Sequence, residues 1–186
     1  SMVRSGVAIA SVDYRLRQVG AGFHCDVSIE DKRSAIRWAA EDLAQAIEVL
    51  KPVFPEGIIV CGTSAGAEAA LFAGFHMEVP GIDGIISLAG AMEPGAGVDL
   101  PLLAFHGTCD DLVPFCAATH HYCPESTPGA LWLLGSGALA NTLPQMELFV
   151  LEGAGHESSS FLLSQPVFME AAVAFMEHGK SRNVQS

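Results

Sequence analysis

The stretch Gly57-Ile58-Ile59-Val60-Cys61-Gly62-Thr63-Ser64-Ala65-Gly66-Ala67-Glu68-Ala69-Ala70-Leu71 decides the fold. Four consecutive apolar residues, 58–61, predict a strand buried on both faces, as the strands of a parallel sheet are. A Gly-x-Ser-x-Gly turn follows, and residues 67–75 predict a helix. Strand, tight turn and helix together make the layout of a nucleophile elbow, with the Oγ of Ser64 exposed at its apex. Gly62 and Gly66 are expected where the two backbones crowd, so that a Cβ at either would push the elements apart. A glycine-rich turn with an incidental serine would carry the same five letters. Glycine is common in this chain, 19 of 186 residues, so the flanking sequence has to decide.

Upstream, residues 6–13 (GVAIASVD) are apolar and rich in β-branched side chains, and predict a strand. A loop broken by Gly20 and Gly22 leads to a helix over 28–50. Ser28 with Asp31 approximates a capping box, and Ile29, Lys32/Arg33, Ile36, Ala40, Leu43 and Ile47 form a stripe at helical spacing. Pro52 and Pro55 end it. Downstream, strands are expected at 82–89, 102–106 and 147–151. A last helix starts at Pro166 and is closed by Gly179 as a C-cap. The fold class is therefore α/β: a mostly parallel sheet of about five strands with helices on both faces, in one domain spanning 1–186. Residues 115–144 lack a clear strand and are long for a connection, which predicts a binding loop or lid. Thr63 beside the serine, and Phe115 and Trp132 in that long loop, are the candidate substrate-pocket residues.

Half of the residues are hydrophobic and only 16% are charged, a balance that excludes disorder. With a net charge of −12 and no basic patch to neutralise phosphates, nucleic acid and anionic membrane surfaces are excluded as partners. No apolar run approaches the roughly 20 residues that span a bilayer. The start of the chain carries no leader, but a serine ahead of Met2 resembles a tag remnant. A secreted or periplasmic origin after leader removal therefore stays open, and localisation is unassigned. Five cysteines without a CxxC pair favour free thiols, with at most two disulfides. Cys109, Cys116 and Cys123 recur every seven residues with His120 and His121 among them. Cys116 and His120 would share a face if the segment were helical, but small buried thiols are the commoner case and no metal ligand is assigned. Gly95-Ala96-Gly97 does not open a helix after a strand, so no cofactor site is read there.

In a parallel α/β sheet, ligands bind beyond the carboxyl ends of the strands. After the strand at 102–106 comes His106-Gly107-Thr108-Cys109-Asp110-Asp111-Leu112-Val113-Pro114. After that at 147–151 comes Glu152-Gly153-Ala154-Gly155-His156-Glu157. Serine, acid and histidine thus follow one another in the order Ser…Asp…His, each just past a strand end, and can converge on one rim. Asp110 and Asp111 both qualify as the acid. His106, at a strand end, is expected to be a packed structural histidine. His24, His76 and His178 have no motif around them, and Glu68 suits the positive end of its helix without a catalytic role.

The elbow 62–66, the segment His106-Gly107-Thr108-Cys109-Asp110-Asp111-Leu112-Val113-Pro114 and Gly155-His156 resemble the α/β-hydrolase carboxylesterases. Ser11-Val12-Asp13-Tyr14-Arg15-Leu16 and Ala35-Ile36-Arg37-Trp38 look like the "DYRL" and "AIRW" segments of its hormone-sensitive-lipase-like and feruloyl-esterase-like branches. The resemblance covers residues 6–178. It implies Ser64 as nucleophile, His156 as base, Asp110 rather than Asp111 as the acid, and the Ala65 N–H as an oxyanion donor. It implies a serine esterase acting on small-molecule esters without a cofactor. One departure stands out: the family's HGGG loop, source of the second oxyanion donor, precedes the "DYRL" strand and is not found in this sequence. Gly20-Ala21-Gly22 follows that strand instead. The strand preceding "DYRL" is missing with it, so residues 6–13 are expected either to pair directly with the elbow strand or to leave an edge that a second copy, in a homodimer, covers.

Overall fold

The computed structural model describes residues 6–16, 23–95 and 97–183, with side chains described as far as residue 177. In chain order the elements are α1 (Ile29–Leu50), β1 (Ile59–Thr63), α2 (Ala65–Leu71), β2 (Gly84–Leu88), β3 (Ala91–Met92), β4 (Leu102–Gly107), β5 (Ala117–Thr119), β6 (Trp132–Gly135), α3 (Ser136–Leu139), β7 (Met146–Leu151), α4 (Ser158–Leu162) and α5 (Pro166–Asn183). A π-helical turn, Phe72–His76, extends α2. Strands β1, β2, β4 and β7 form a parallel sheet in that order.

Alternation along the strands builds two apolar layers. Ile85 of β2 and Leu102 and Ala104 of β4 pack with Ile47 of α1 and Leu71 and Phe75 from the elbow helix. Ile86, Leu88, Leu103 and Phe105 face the other way, against Leu162 of α4 and Phe168 and Ala172 of α5. β2 and β4 are buried throughout because both faces are covered. α1 starts where the capping pattern placed it, with Ser28 Oγ accepting from the Asp31 N–H at 3.1 Å.

Among the described residues the fifth strand is not formed: 7–16 take no regular secondary structure and pair with no strand, so the sheet there has four strands with β1 at its edge. The segment is held through Arg15 instead, whose Nε meets Asp42 Oδ1 at 2.8 Å and whose Nη2 meets Glu41 Oε2 at 3.1 Å, with the guanidinium over Trp38 of α1. Direct pairing of residues 6–13 with the elbow strand is thereby overturned. β1 is not buried on both faces either, since Cys61 is exposed.

Residues 115–144 are not a structureless lid. They carry β5, β6 and α3, and β6 joins β3 and β5 in a small antiparallel sheet. Cys116 and His120 do not share a helical face: Cys116 is exposed, while His120 follows β5 and is buried. Cys25 and Cys123 form a disulfide, where free thiols were favoured. α5 runs through Gly179 to Asn183 rather than ending at it.

Candidate active site

Ser64 stands between β1 and α2 with φ 53° and ψ −123°, a strained backbone for a residue with a side chain. The turn is locked by the Ser64 N–H on the Leu88 carbonyl and by the Ala67 and Glu68 N–H groups on the Ser64 carbonyl. A Cβ at Gly62 would run into the Gly66 carbonyl and the Ala67 nitrogen, so glycine is required there. At Gly66 a Cβ would meet open space, which corrects the expectation that both glycines are steric necessities.

The histidine arrives from β7. Gly107, at the end of β4, lies directly against the Ala154 carbonyl. The Thr108 and Cys109 N–H groups bond Leu151 and Ala154 at 3.1 and 3.0 Å, so the loop after β7 is stitched to the loop after β4. This close approach brings His156 to Asp110. His156 Nδ1 is 2.7 Å from Asp110 Oδ2, and Nε2 is 2.9 Å from Ser64 Oγ. With Nδ1 donating to the carboxylate, Nε2 is left to accept the Ser64 proton.

Asp110 is buried, and its Oδ1 accepts the N–H groups of Leu112 at 3.0 Å and Val113 at 2.8 Å. Burial disfavours its charge, but hydrogen bonds from His106, His156 and these two amides outweigh burial and hold the carboxyl below the usual carboxylate range. The hydrogen bond to Asp110, opposed by burial, raises the His156 imidazole above its ordinary value. Asp111 is exposed. His106 is fully buried, with Nδ1 on Ser136 Oγ at 2.9 Å and Nε2 near the Val113 carbonyl at 3.2 Å.

Ala65 opens α2 and is exposed. Thr63 ends β1 with its Oγ1 buried and without a hydrogen-bond partner among the described residues. Phe115 packs edge-on against His106 with ring centroids 5.6 Å apart, behind the acid. Trp132 lies on β6, half exposed, paired in register with Thr119. Gly20 and Gly22 fall outside the described residues. Among the described residues no group of three or more His, Cys, Asp and Glu side chains is placed to hold a metal ion, and no helix is long and apolar enough to cross a membrane.

The sequence reading missed a buried polar cluster beside the elbow. Glu68 and His120 are 2% exposed and Lys32 is fully buried. His120 Nε2 is 3.2 Å from Glu68 Oε1, and Lys32 Nζ donates to the Gly129 carbonyl at 2.7 Å. Burial lowers the Lys32 pKa. Lys32 sits on the apolar stripe of α1, and that mismatch was the only sign of it in the sequence.

No described protein family and no curated protein matches the chain. Solved structures do. Esterase PE8 superposes with a TM-score of 0.55 at 19% identity, over 89% of this chain and 68% of its own. TT1662 from Thermus thermophilus gives 0.50 at 21% identity, over 82% and 66%. A predicted CIB-like hydrolase from Thermoplasma acidophilum gives 0.51 at 19%, over 78% and 61%. The chain thus spans about two thirds of the length of the structures it resembles. Its fold is that of the α/β-hydrolases.

Proposed function

We propose that the protein is a serine hydrolase that cleaves small carboxylic esters through an acyl-enzyme. The observation that carries this reading is the unbroken relay from Ser64 Oγ through His156 to Asp110, at 2.9 and 2.7 Å. In the reading, His156 Nε2 takes the Ser64 proton as Oγ attacks the ester carbonyl. The tetrahedral oxyanion develops against the Ala65 N–H. His156 then protonates the departing alkoxide, leaving acyl-Ser64 and free alcohol, and activates the water that releases the acid. Asp110 holds the imidazole in the productive tautomer and stabilises the imidazolium. No cofactor takes part in these steps.

Thr63, next to the nucleophile in sequence, stays a pocket candidate. Phe115 and Trp132 stay pocket candidates as well. Thioesters and peptides are the alternatives to small carboxylic esters, since a triad does not distinguish leaving groups. A second reading is a hydrolase-fold binding protein of low activity, since one fold hosts many functions. Hydrolysis of p-nitrophenyl acetate by wild type and Ser64→Ala separates the two; equal rates end the esterase reading. The open edge of β1 supports pairing with a second copy as a homodimer, and light scattering that gives one chain's mass refutes it.

A further inference from the structure

Three buried ionisable side chains, Glu68, His120 and Lys32, take no part in the relay, and buried groups of this kind persist only when partnered. His120 opens a short turn, His120–Tyr122, whose backbone is strained. Glu68 meets the His120 ring, and Lys32 lies just past the turn, on the Gly129 carbonyl and near Cys123 Sγ. His121 and Tyr122 both have positive φ, 57° and 50°, in succession and without a glycine. The turn is fastened at every residue. The His120 N–H bonds the Leu131 carbonyl at 2.7 Å, and its ring meets Glu68, one helical turn past Ser64. The His121 N–H bonds the Leu112 carbonyl at 2.8 Å. The Tyr122 hydroxyl donates to the Asp110 carbonyl at 2.9 Å. The next residue, Cys123, is joined to Cys25.

These contacts have a common geometry. On one side the turn grips the helix that begins at the nucleophile; on the other it holds the backbone carbonyls of Asp110 and Leu112. Residues 110–113 are also bent by the acid's own Oδ1 on two amides and backed by His106, whose Nε2 lies against the Val113 carbonyl and shares Oδ2 with His156. A strained left-handed pair in such a place is a mark of a conformation imposed for function. We propose that His120–Tyr122 is a positioning turn that sets Asp110 against His156, with Tyr122 and His120 as positioning residues. The proposal rests on the triad reading of the site.

Tyr122 is half exposed, so Tyr122→Phe removes one hydroxyl from a tolerant position. The groups whose charge reaches His156 are Asp110 in contact, then Asp111 and Glu68. Only Asp110 is touched by Tyr122. NMR titration of the His156 ring should show its midpoint lower in Tyr122→Phe than in wild type by about half a pH unit or more. In the p-nitrophenyl acetate assay, kcat should fall roughly three- to tenfold with KM within about twofold. His120→Leu, which removes the ring nitrogen that meets Glu68, should lower the midpoint as well, and His120→Gln, which keeps a polar group there, should restore it. A His156 midpoint unmoved in Tyr122→Phe overturns the proposal, whatever the activity. Absence of Ser64-dependent hydrolysis overturns the esterase reading instead, and the titration still decides the positioning role.

Discussion

His106 Nε2 lies 3.3 Å from Asp110 Oδ2, with both side chains wholly removed from solvent. The same oxygen meets His156 Nδ1 at 2.7 Å, and that ring keeps 17% of its surface exposed. Two histidines share one carboxylate, and their surroundings divide the labour. The buried one is tied to Ser136 and Val113 and belongs to the core; the accessible one faces Ser64.

Exchange of these two histidines should therefore fail in different ways. His106→Phe strands the Val113 carbonyl and leaves the Ser136 hydroxyl only the Gly90 carbonyl at 3.5 Å, and should destabilise the fold by about 2–4 kcal/mol. His156→Ala leaves Asp110 with His106 and two amides, so it should cost less stability while abolishing hydrolysis. Urea melts beside rate measurements check both.

The elbow glycines should part company. Gly62→Ala drives a Cβ into the Gly66 carbonyl and the Ala67 nitrogen, at about 2–4 kcal/mol, because backbone cannot yield as a side-chain tip can. Gly66→Ala enters open space inside a helix and should leave stability within about 1 kcal/mol of wild type. Thermal melts of the two variants make the comparison.

Activity should depend on pH through His156. Its value is raised, so the imidazole becomes a free base only above the ordinary histidine range near ~6.5. The acid limb of kcat/KM should lie above that value. Asp110→Asn should move the limb down and cut kcat by about 10³–10⁴. Stability follows the same signs. The raised imidazole contributes fully below ~6.5 and is lost as pH rises through its folded value. The depressed Asp110 carboxyl contributes above ~3.9 and is lost as pH falls through its folded value. Denaturation midpoints across pH in wild type and Asp110→Asn check this.

The disulfide Cys25–Cys123 spans 98 residues of sequence, so it removes much entropy from the unfolded chain. Reduction by dithiothreitol, or Cys25→Ser with Cys123→Ser, should lower stability by about 2–5 kcal/mol. A midpoint unchanged by reductant contradicts the bond.

Much of this architecture was written in local pattern. Buried runs at 84–88 and 102–107 read as strands because both of their faces are covered, and Ser28 with Asp31 marked the start of α1 to the residue. The relay was legible because Ser64, Asp110 and His156 each sit just past a strand end. What escaped depends on neighbours. Residues 6–13 have the composition of a strand, but a strand also needs a partner, and Arg15 is held by α1 instead. β5 and β6 are short, three and four residues, and lie among prolines and glycines that read as loop. The space around Gly66, the pairing of Cys25 and the burial of Glu68 are all set by distant chain, which spacing does not report.

Acyl transfer here requires that Ser64 be an activated nucleophile. Incubation with a fluorophosphonate, followed by peptide mass spectrometry, decides it. One adduct is expected, on Ser64, abolished in His156→Ala and matched by loss of esterase activity. An unlabelled Ser64, or labelling undiminished by His156→Ala, contradicts it.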